Sequence, residues 1–181
     1  MNHRAFTLIE TLVAIAVLMI AIVGPYSIAN TAIVASRTTQ NELIASYLAQ
    51  EPIEFVRTVR DMNFSVRISG ENPYQQPFSY LDACVNQTCV IDSKSYYINT
   101  CPMYGGAYVC PPLYKDENGL YNQQESGEET IFTRSVQITD NVSYMYTHEA
   151  TVTTTVSWSE HGVPRSYTLE ETLYDWLGYA N

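Results

Sequence analysis

The strongest constraint on this chain is an uncharged, apolar run close to its N-terminus. Residues 11–36 contain no Asp, Glu, Lys or Arg, and residues 12–23 read LVAIAVLMIAIV without a polar side chain. As a helix, these twenty-six residues rise about 39 Å at about 1.5 Å per residue, more than a hydrocarbon core about 30 Å thick. The run therefore predicts a membrane-spanning helix.

The residues on either side of this run predict its orientation. His3 and Arg4 precede it, and because positive residues tend to remain on the cytoplasmic side, we expect the extreme N-terminus to stay in the cytoplasm. Everything after about residue 36 is then exported. A cleavable secretory signal is the competing interpretation. It fits poorly, because the apolar run is too long and apolar residues continue beyond it at helical spacing.

Glu10 is an ionisable group at the start of the apolar run. A carboxylate in hydrocarbon is costly, so we expect Glu10 either to find a partner or to mark a function. Because it lies so near the cytoplasmic end, a position among the lipid head groups is an equally good interpretation. Its position alone leaves both interpretations open.

The residues around Glu10 form a recognisable motif. The segment Arg4–Ala14, RAFTLIETLVA, joins a very short basic leader, a small residue, the string FTLIE and an immediate apolar helix. This combination resembles the N-terminus of type IV prepilins and type II secretion pseudopilins. The resemblance implies that a prepilin peptidase cuts between Ala5 and Phe6 and N-methylates Phe6. Most members have Gly where this chain has Ala5, a departure that implies slower or more selective processing.

The same resemblance gives Glu10, the fifth residue after cleavage, a role in assembly. In the family this carboxylate pairs with the N-terminal amine of a neighbouring subunit, which implies that Glu10 sets the axial register between packed helices. Register is the expected benefit, because a buried ion pair barely offsets its desolvation cost. The implied partners are the prepilin peptidase/methyltransferase, a major pilin or other pseudopilins, the inner-membrane assembly platform and the lipid bilayer.

Two prolines interrupt the helical pattern. Gly24-Pro25 falls late in the apolar run. Because proline removes one helical hydrogen bond and crowds the preceding turn, we expect a kink or a locally loosened helix there. Pro52 lies in the exported half, where we expect it either to bend the same helix or to occupy the first turn of a second one.

The exported part is predicted to begin with a helix and to end with strands. Apolar residues at helical spacing predict a helix to about residue 62 with one face packed on a sheet. They are Ile44, Leu48, Phe55, Val59 and Met62. Residues 63–128 are dense in turn formers and are predicted to be an irregular loop region. Alternating apolar residues predict antiparallel strands at about 130–175, with a hairpin turn at His161-Gly162.

These elements predict an α+β fold: a long N-terminal transmembrane helix packed on a small antiparallel sheet, with a long cysteine-containing loop region. The same order of elements is found in the pilin family, so the resemblance implies a pilin-like fold. A weaker similarity points to accessory, minor pilins or pseudopilins. The predicted domains are a leader peptide at 1–5, a transmembrane and filament-core helix at 6–36 and an exported globular domain at 37–181.

Four cysteines, at Cys84, Cys89, Cys101 and Cys110, lie in the predicted loop region. Four, eleven and eight residues separate them, which differs from the paired CxxC motifs of zinc ribbons. In an oxidising compartment, four clustered cysteines favour two disulfides over a metal site. Three connectivities are open, and pairing of nearest neighbours would close short loops.

The loop region also carries eight of the fifteen tyrosines. Exposed Tyr rings are suited to adhesive contacts, but packing over a small sheet is their commoner use and is favoured here. The segment Asp116-Glu117-Asn118-Gly119 is a fragment of a calcium loop. Because it lacks the remaining ligands of such a loop, a plain turn is favoured.

Charge and motif content argue against several function classes. Residues 37–181 carry eight basic and eighteen acidic side chains, which argues against nucleic-acid binding. After cleavage the histidines are His148 and His161, neither in a nucleophile motif, and no carboxylate spacing indicates an acid and base pair. We therefore expect no enzyme activity, no cofactor and no metal.

Together these observations predict a structural and assembly subunit of a type IV pilus or type II secretion filament. We expect it to reside in the cytoplasmic membrane as a single-pass protein with an exported C-terminal domain, and then in an extracellular or periplasmic filament. The alternative is a filament-tip, adhesin-like binding module that uses the Tyr-rich cysteine loops.

Overall fold

The computed structural model describes residues 7–140 and 149–175, which form one helix and nine strands. The described residues divide into two compact units, one up to Asn41 and one from Glu42 onward. Helix α1 spans Leu8–Ser69. The strands are β1 Thr88–Asp92, β2 Tyr97–Thr100, β3 Met103–Tyr104, β4 Ala107–Tyr108, β5 Pro112–Lys115, β6 Tyr121–Asn122, β7 Glu128–Asp140, β8 Glu149–Glu160 and β9 Val163–Tyr174.

In the first unit, the apolar side chains of α1 are exposed. Every residue from 8 to 36 is exposed, and the most apolar stretch has no buried residue. By length and composition, α1 is able to cross a membrane. The helical assignment continues through Gly24 and Pro25, so the kink expected there stays a prediction. An exposed apolar helix of this kind fits a membrane-anchored protein.

In the second unit, α1 packs on the sheet through most of the predicted face. The positions that are buried or half-buried as predicted are Ile44, Leu48, Phe55 and Val59. The prediction is wrong for Met62, which is 57% exposed, whereas the next residue, Asn63, is buried. The cause is the loop at 77–79, which covers this side of the helix: Asn63 Nδ2 donates to the carbonyl oxygens of Pro77 and Ser79 at 2.9 and 3.3 Å.

The helix continues past its predicted end near residue 62 and ends at Ser69. The residues 62–69 contain neither Gly nor Pro, so nothing stops the helix before Gly70. Gly70 has a φ of +78°, and its N–H donates to the Arg67 carbonyl oxygen at 3.2 Å. A glycine in the left-handed region just past the last turn is a common helix end.

Seven strands form one antiparallel sheet in the order β2-β1-β7-β5-β6, and β8 and β9 extend it from β7. β8 and β9 pair from Glu149–Tyr174 to Glu160–Val163. The two turn residues, His161 and Gly162, both have positive φ, as a primed two-residue turn requires. The predicted hairpin is therefore confirmed. The strands β3 and β4 form a second, two-stranded sheet.

The prediction of an irregular region at 63–128 is wrong for the residues that form β1–β6. These strands are two to five residues long. Strands this short have too few positions to show alternation, and β1 also carries four buried residues in a row. In the longer strands the alternation is clear. The inward residues predicted for β7 and β8 are buried: Phe132, Val136, Ile138, Ala150, Val152, Val156 and Trp158.

Candidate functional site

Thr7 begins helix α1. Its side-chain Oγ1 accepts the N–H of Glu10 at 3.4 Å, and its carbonyl oxygen accepts the N–H groups of Glu10 and Thr11 at 3.0 and 3.3 Å. Thr7 is therefore the N-cap and Glu10 the third helical residue, which is the spacing of a capping box. This role of Thr7 is not among the predictions from the sequence, although the T-x-x-E spacing before an apolar run is typical of a capping box.

The Glu10 side chain is exposed in the first turn of α1. Among residues 7–140 and 149–175, no ion pair involves its carboxylate. An acidic side chain at this position also complements the positive end of the helix dipole. The predicted cleavage and methylation residues, Ala5 and Phe6, lie outside the described residues. The role of Glu10 in register therefore stays a prediction.

The four cysteines form two disulfides, Cys84–Cys89 and Cys101–Cys110. The expectation of disulfides in the loop region is therefore confirmed. Each bond joins one cysteine to the next cysteine along the chain. Cys84 and Cys89 are buried in the core beneath α1. The first disulfide thus belongs to the core, whereas most residues between Cys101 and Cys110 are exposed.

The second disulfide closes residues 101–110, which we name the tyrosine hairpin. In it, β3 and β4 are joined by Gly105 and Gly106, with φ of +59° and +87°. Both glycines occupy the left-handed region, as a tight primed turn between two strands requires. Its large exposed apolar side chains are Met103, Tyr104, Tyr108 and Val109. The hairpin therefore presents apolar and aromatic groups to the solvent from a covalently closed loop.

Most tyrosines of the loop region are exposed, so the prediction that they pack over the sheet is wrong for them. Six lie between 37% and 79% exposed: Tyr74, Tyr80, Tyr96, Tyr97, Tyr104 and Tyr108. Aliphatic side chains and α1 already fill the core on the helix side of the sheet. Tyr121 is half-buried and packs edge-on against Phe132, and burial raises the pKa of Tyr121.

The segment from Asp116 to Gly119 forms the turn between β5 and β6. Asp116 Oδ1 accepts the N–H groups of Asn118 and Leu120, both at 2.9 Å, and Oδ2 accepts Lys94 Nζ at 3.1 Å. The hydrogen bond from Leu120, and next the one from Lys94, holds the pKa of Asp116 below its ordinary value. The predicted turn is therefore present, and the Asp116 carboxylate holds it together.

A buried arginine, which sequence analysis missed, joins three elements of the second unit. Arg134 lies on β7 and is 1% exposed. Its Nη1 donates to Glu51 Oε2 at 2.8 Å and to the Leu48 carbonyl oxygen at 3.1 Å, both on α1. Its Nη2 donates to the Ile91 carbonyl oxygen of β1 at 2.6 Å. The guanidinium thus ties α1, β1 and β7 together.

The contact between Arg134 and Leu48 compensates for a proline. In a regular helix, the Leu48 carbonyl would accept the N–H of the residue four positions later, but that residue is Pro52, which has none. Arg134 Nη1 takes the place of the missing donor. Pro52 lies buried inside α1, so the alternative that it starts a second helix is wrong.

Of the histidines that remain after the predicted cleavage, the structure describes His161. His161 is exposed in the β8–β9 turn, and His148 lies outside the described residues. In the described ranges, no cluster of three or more His, Cys, Asp or Glu side chains is arranged to hold a metal ion.

Comparison with known proteins identifies the N-terminal segment. The family model described as the prokaryotic N-terminal methylation motif matches residues 1–24. No curated protein and no solved structure matches the chain. Proteins with this motif are structural rather than enzymatic, and the motif implies processing by a prepilin peptidase and assembly with pilins. The chain therefore carries the type IV prepilin-like N-terminal signal, followed by a pilin-like α+β fold with two disulfides.

Proposed function

We propose that the chain is a minor pilin or pseudopilin, a structural and assembly subunit of a type IV pilus or type II secretion filament. The observation that carries this proposal is the methylation motif at residues 1–24, continuous with a helix whose residues 8–36 are all exposed. The proposed domains are the leader at 1–5, the filament-core helix at 6–36 and the exported domain at 37–181.

The exposed apolar surface supports two successive environments for the helix. As a single span in the cytoplasmic membrane, the surface is covered by lipid. In the extracellular or periplasmic filament, the helices of neighbouring subunits cover it instead, with the inner-membrane assembly platform bringing them together. Both environments remove the same apolar side chains from water. The hydrophobic effect, which is the dominant favourable contribution to association, therefore stabilises the helix in each of them.

In this proposal, Phe6 and Glu10 act together across a subunit boundary. A prepilin peptidase cuts after Ala5 and methylates the new amine of Phe6, which remains able to carry a positive charge. The exposed Glu10 carboxylate of an adjacent subunit pairs with that amine and fixes the axial position of the two helices. The benefit lies in register, since the pair itself adds little net stability.

The test replaces Glu10 by Val and compares the result with Glu42→Val. Both glutamates are exposed on α1, but Glu42 lies beyond the apolar run, so it is a matched control. We expect both variants to insert in the membrane and only Glu10→Val to lose incorporation into sheared filaments. Equal incorporation of the two variants would contradict the register role.

Mass analysis of the protein from its native host tests the processing step. We expect the chain to begin at methylated Phe6, and Ala5→Gly to increase the processed fraction, since Gly is the usual residue there in the family. A chain that begins at any other residue would contradict the proposal.

A second candidate function is an adhesin-like module at the filament tip. It is supported by the exposed aromatic surface of the tyrosine hairpin. The test changes exposed side chains and leaves the buried strand β1 and the first disulfide intact. We expect Tyr104→Ser with Tyr108→Ser to abolish attachment while filaments form normally, and Tyr74→Ser, an exposed control, to preserve both.

A further inference from the structure

The face of the seven-stranded sheet that points away from α1, here named the outer face, carries a regular array of hydroxyl groups. On β7, β8 and β9 its positions are the odd residues 133–139, the odd residues 151–157 and the even residues 166–172, which alternate with the inward positions. Cross-strand pairing arranges them in four rows of three. Ten of these twelve are Thr or Ser, and the others are Gln137 and Glu170.

The hydroxyl groups of this array can form further hydrogen bonds with a partner on the solvent side. Within one row, the Oγ1 atoms of Thr155 and Thr168 are 3.1 Å apart, and Ser135 Oγ lies 3.5 Å from the Thr155 carbonyl oxygen. Neighbouring strands lie about 4.8 Å apart, and alternate residues of one strand lie about 6.7 Å apart. Because each hydroxyl offers one donor and two acceptors, these internal contacts leave further donors and acceptors available.

The tyrosine hairpin lies on this same outer face. Cys89 and Ile91 belong to the core beneath α1, so strand alternation points Val90 outward, yet Val90 is only 2% exposed. A groove of about 370 Å³ beside Val90 is lined by residues of the tyrosine hairpin and by Pro112. Pro112 pairs with Thr133, which is the β7 member of one row of the array. Aromatic and hydroxyl groups are therefore neighbours on one face.

This combined surface is nearly uncharged in a strongly acidic chain. The chain carries a formal charge of −10, but residues 95–114 contain no charged side chain, and the twelve array positions contain only Glu170. Solvent-facing strands commonly carry charges that discourage association. A partner that is itself neutral therefore suits this face better than an ionic one, which would find little to pair with.

We propose that the outer face binds a neutral polysaccharide. Sugar hydroxyls match the array because they both donate and accept hydrogen bonds, and the C–H face of a sugar ring packs on the electron-rich face of an exposed Tyr ring. A lipid interior would leave the array without hydrogen-bond partners, and the acidic chain repels nucleic acids and acidic glycans. The inference rests on the adhesin-like candidate for its biological use, but it does not require a filament.

The experiment measures retention of the full chain, in a nonionic detergent, on microcrystalline cellulose and on chitin. We expect retention on at least one of them that is unchanged between low and high salt, because no charge pairs contribute. Thr168→Lys and Tyr104→Ser should each lower the apparent affinity about tenfold, since each removes about 1.4 kcal/mol of contact. The matched control Thr58→Lys, at an exposed position on α1, should leave retention unchanged. If Thr168→Lys misfolds by circular dichroism, Ser166→Lys replaces it.

Three results would overturn the proposal: no retention on either polysaccharide, equal retention of the face variants and the unaltered protein, or stronger retention on the acidic polysaccharide alginate than on cellulose and chitin. The outcome is separable from that of the adhesin-like candidate. Loss of host attachment by Tyr104→Ser without polysaccharide binding would preserve that candidate and overturn the polysaccharide proposal. Polysaccharide binding by the unaltered protein, together with host attachment that Tyr104→Ser leaves unchanged, would support the polysaccharide proposal and contradict the adhesin-like candidate.

Discussion

Replacing Arg134 by Met should lower the free energy of unfolding by about 3 to 5 kcal/mol, because it removes a buried guanidinium that donates to two carbonyl oxygens as well as to Glu51. Met roughly preserves the length of the side chain but donates nothing. The Leu48 and Ile91 carbonyl oxygens then lose their donors, at about 1 to 3 kcal/mol each.

The other contacts of Arg134 change this value less. The Glu51 side chain is 32% exposed, so it can turn to water, and it also accepts the Ser93 hydroxyl. In the described part of the chain, Arg134 Nε has no hydrogen-bond partner, and removing that unsatisfied group returns part of the loss. The two orphaned carbonyls therefore dominate the expected destabilisation.

The assay is urea-induced unfolding of the full chain in a nonionic detergent, followed by the fluorescence of the buried Trp158. Arg57→Met is the matched control, because Arg57 is likewise an arginine with acidic partners, Glu54 and Glu171, but its side chain is 37% exposed. It should cost under about 1 kcal/mol. Pro52→Ala restores an N–H for the Leu48 carbonyl. Its benefit should be about 1 to 3 kcal/mol larger in the Arg134→Met background than alone.

Two results would refute this reasoning. One is a destabilisation by Arg134→Met that is no larger than that by Arg57→Met. The other is a Pro52→Ala effect that is identical in both backgrounds, which would mean that the arginine does not replace the missing helical donor.

The remaining predictions concern the loops and the end of the helix. Asp116→Asn should destabilise the protein at neutral pH, because the pKa of this carboxylate is lowered in the folded state and it stabilises the fold only while it is ionised. The difference should begin to shrink near the ordinary Asp pKa of 3.8 and vanish once the pH has fallen through the lowered folded-state pKa. Urea titrations over a pH series measure it. Cys101→Ser with Cys110→Ser should cost about 2 to 3 kcal/mol of unfolding free energy, measured against the unaltered disulfide form. Asp175→Asn should cost about 3 to 5 kcal/mol, seen as a lower urea midpoint, because it breaks a buried pair with Arg67.

Each of these predictions has a clear contrary result. A destabilisation by Asp116→Asn that is constant from neutral to acidic pH would show that the charge is irrelevant. An unchanged urea midpoint after loss of the Cys101–Cys110 bond would mean that this closed loop contributes nothing to stability. For Asp175→Asn, a change no larger than that of an exposed surface pair would contradict the buried interaction.

The sequence alone was sufficient where an element is long and its pattern is repeated. The β8–β9 hairpin follows from alternation over twelve residues on each strand and from a turn at His161-Gly162. The apolar helix follows from a run that no small domain could bury, and its N-terminal motif was recognisable within 24 residues. In these cases local propensity and tertiary structure favour the same conformation.

Tertiary contacts decided the features that sequence reasoning missed. Met62 is exposed because a distant loop covers the neighbouring side of the helix through Asn63. Arg134 occupies an inward strand position that pattern analysis assigns to an apolar residue, and it is stable there because a carboxylate and two carbonyl groups meet it. Such partners are far apart in sequence and become visible only in the folded chain.

The candidate surfaces were predictable to different degrees. The cysteines correctly indicated disulfides, but the exposure of the tyrosines depended on how much room the core left for them. The Thr and Ser residues of β7–β9 indicated a strand face and nothing more, because these residues also have a simple structural reason to be there. Their arrangement in rows required the register of three strands.

The capping of α1 by Thr7 has a consequence for the maturation of the chain. Cleavage at the proposed position removes residues 1–5 and leaves Phe6 and Thr7 in place, so every group that winds the first turn survives the cut. In the proposed mature subunit, the first turn of α1 would therefore keep its N-cap residue without the leader. The proposed cleavage would expose a new amine without removing the residue that caps the helix.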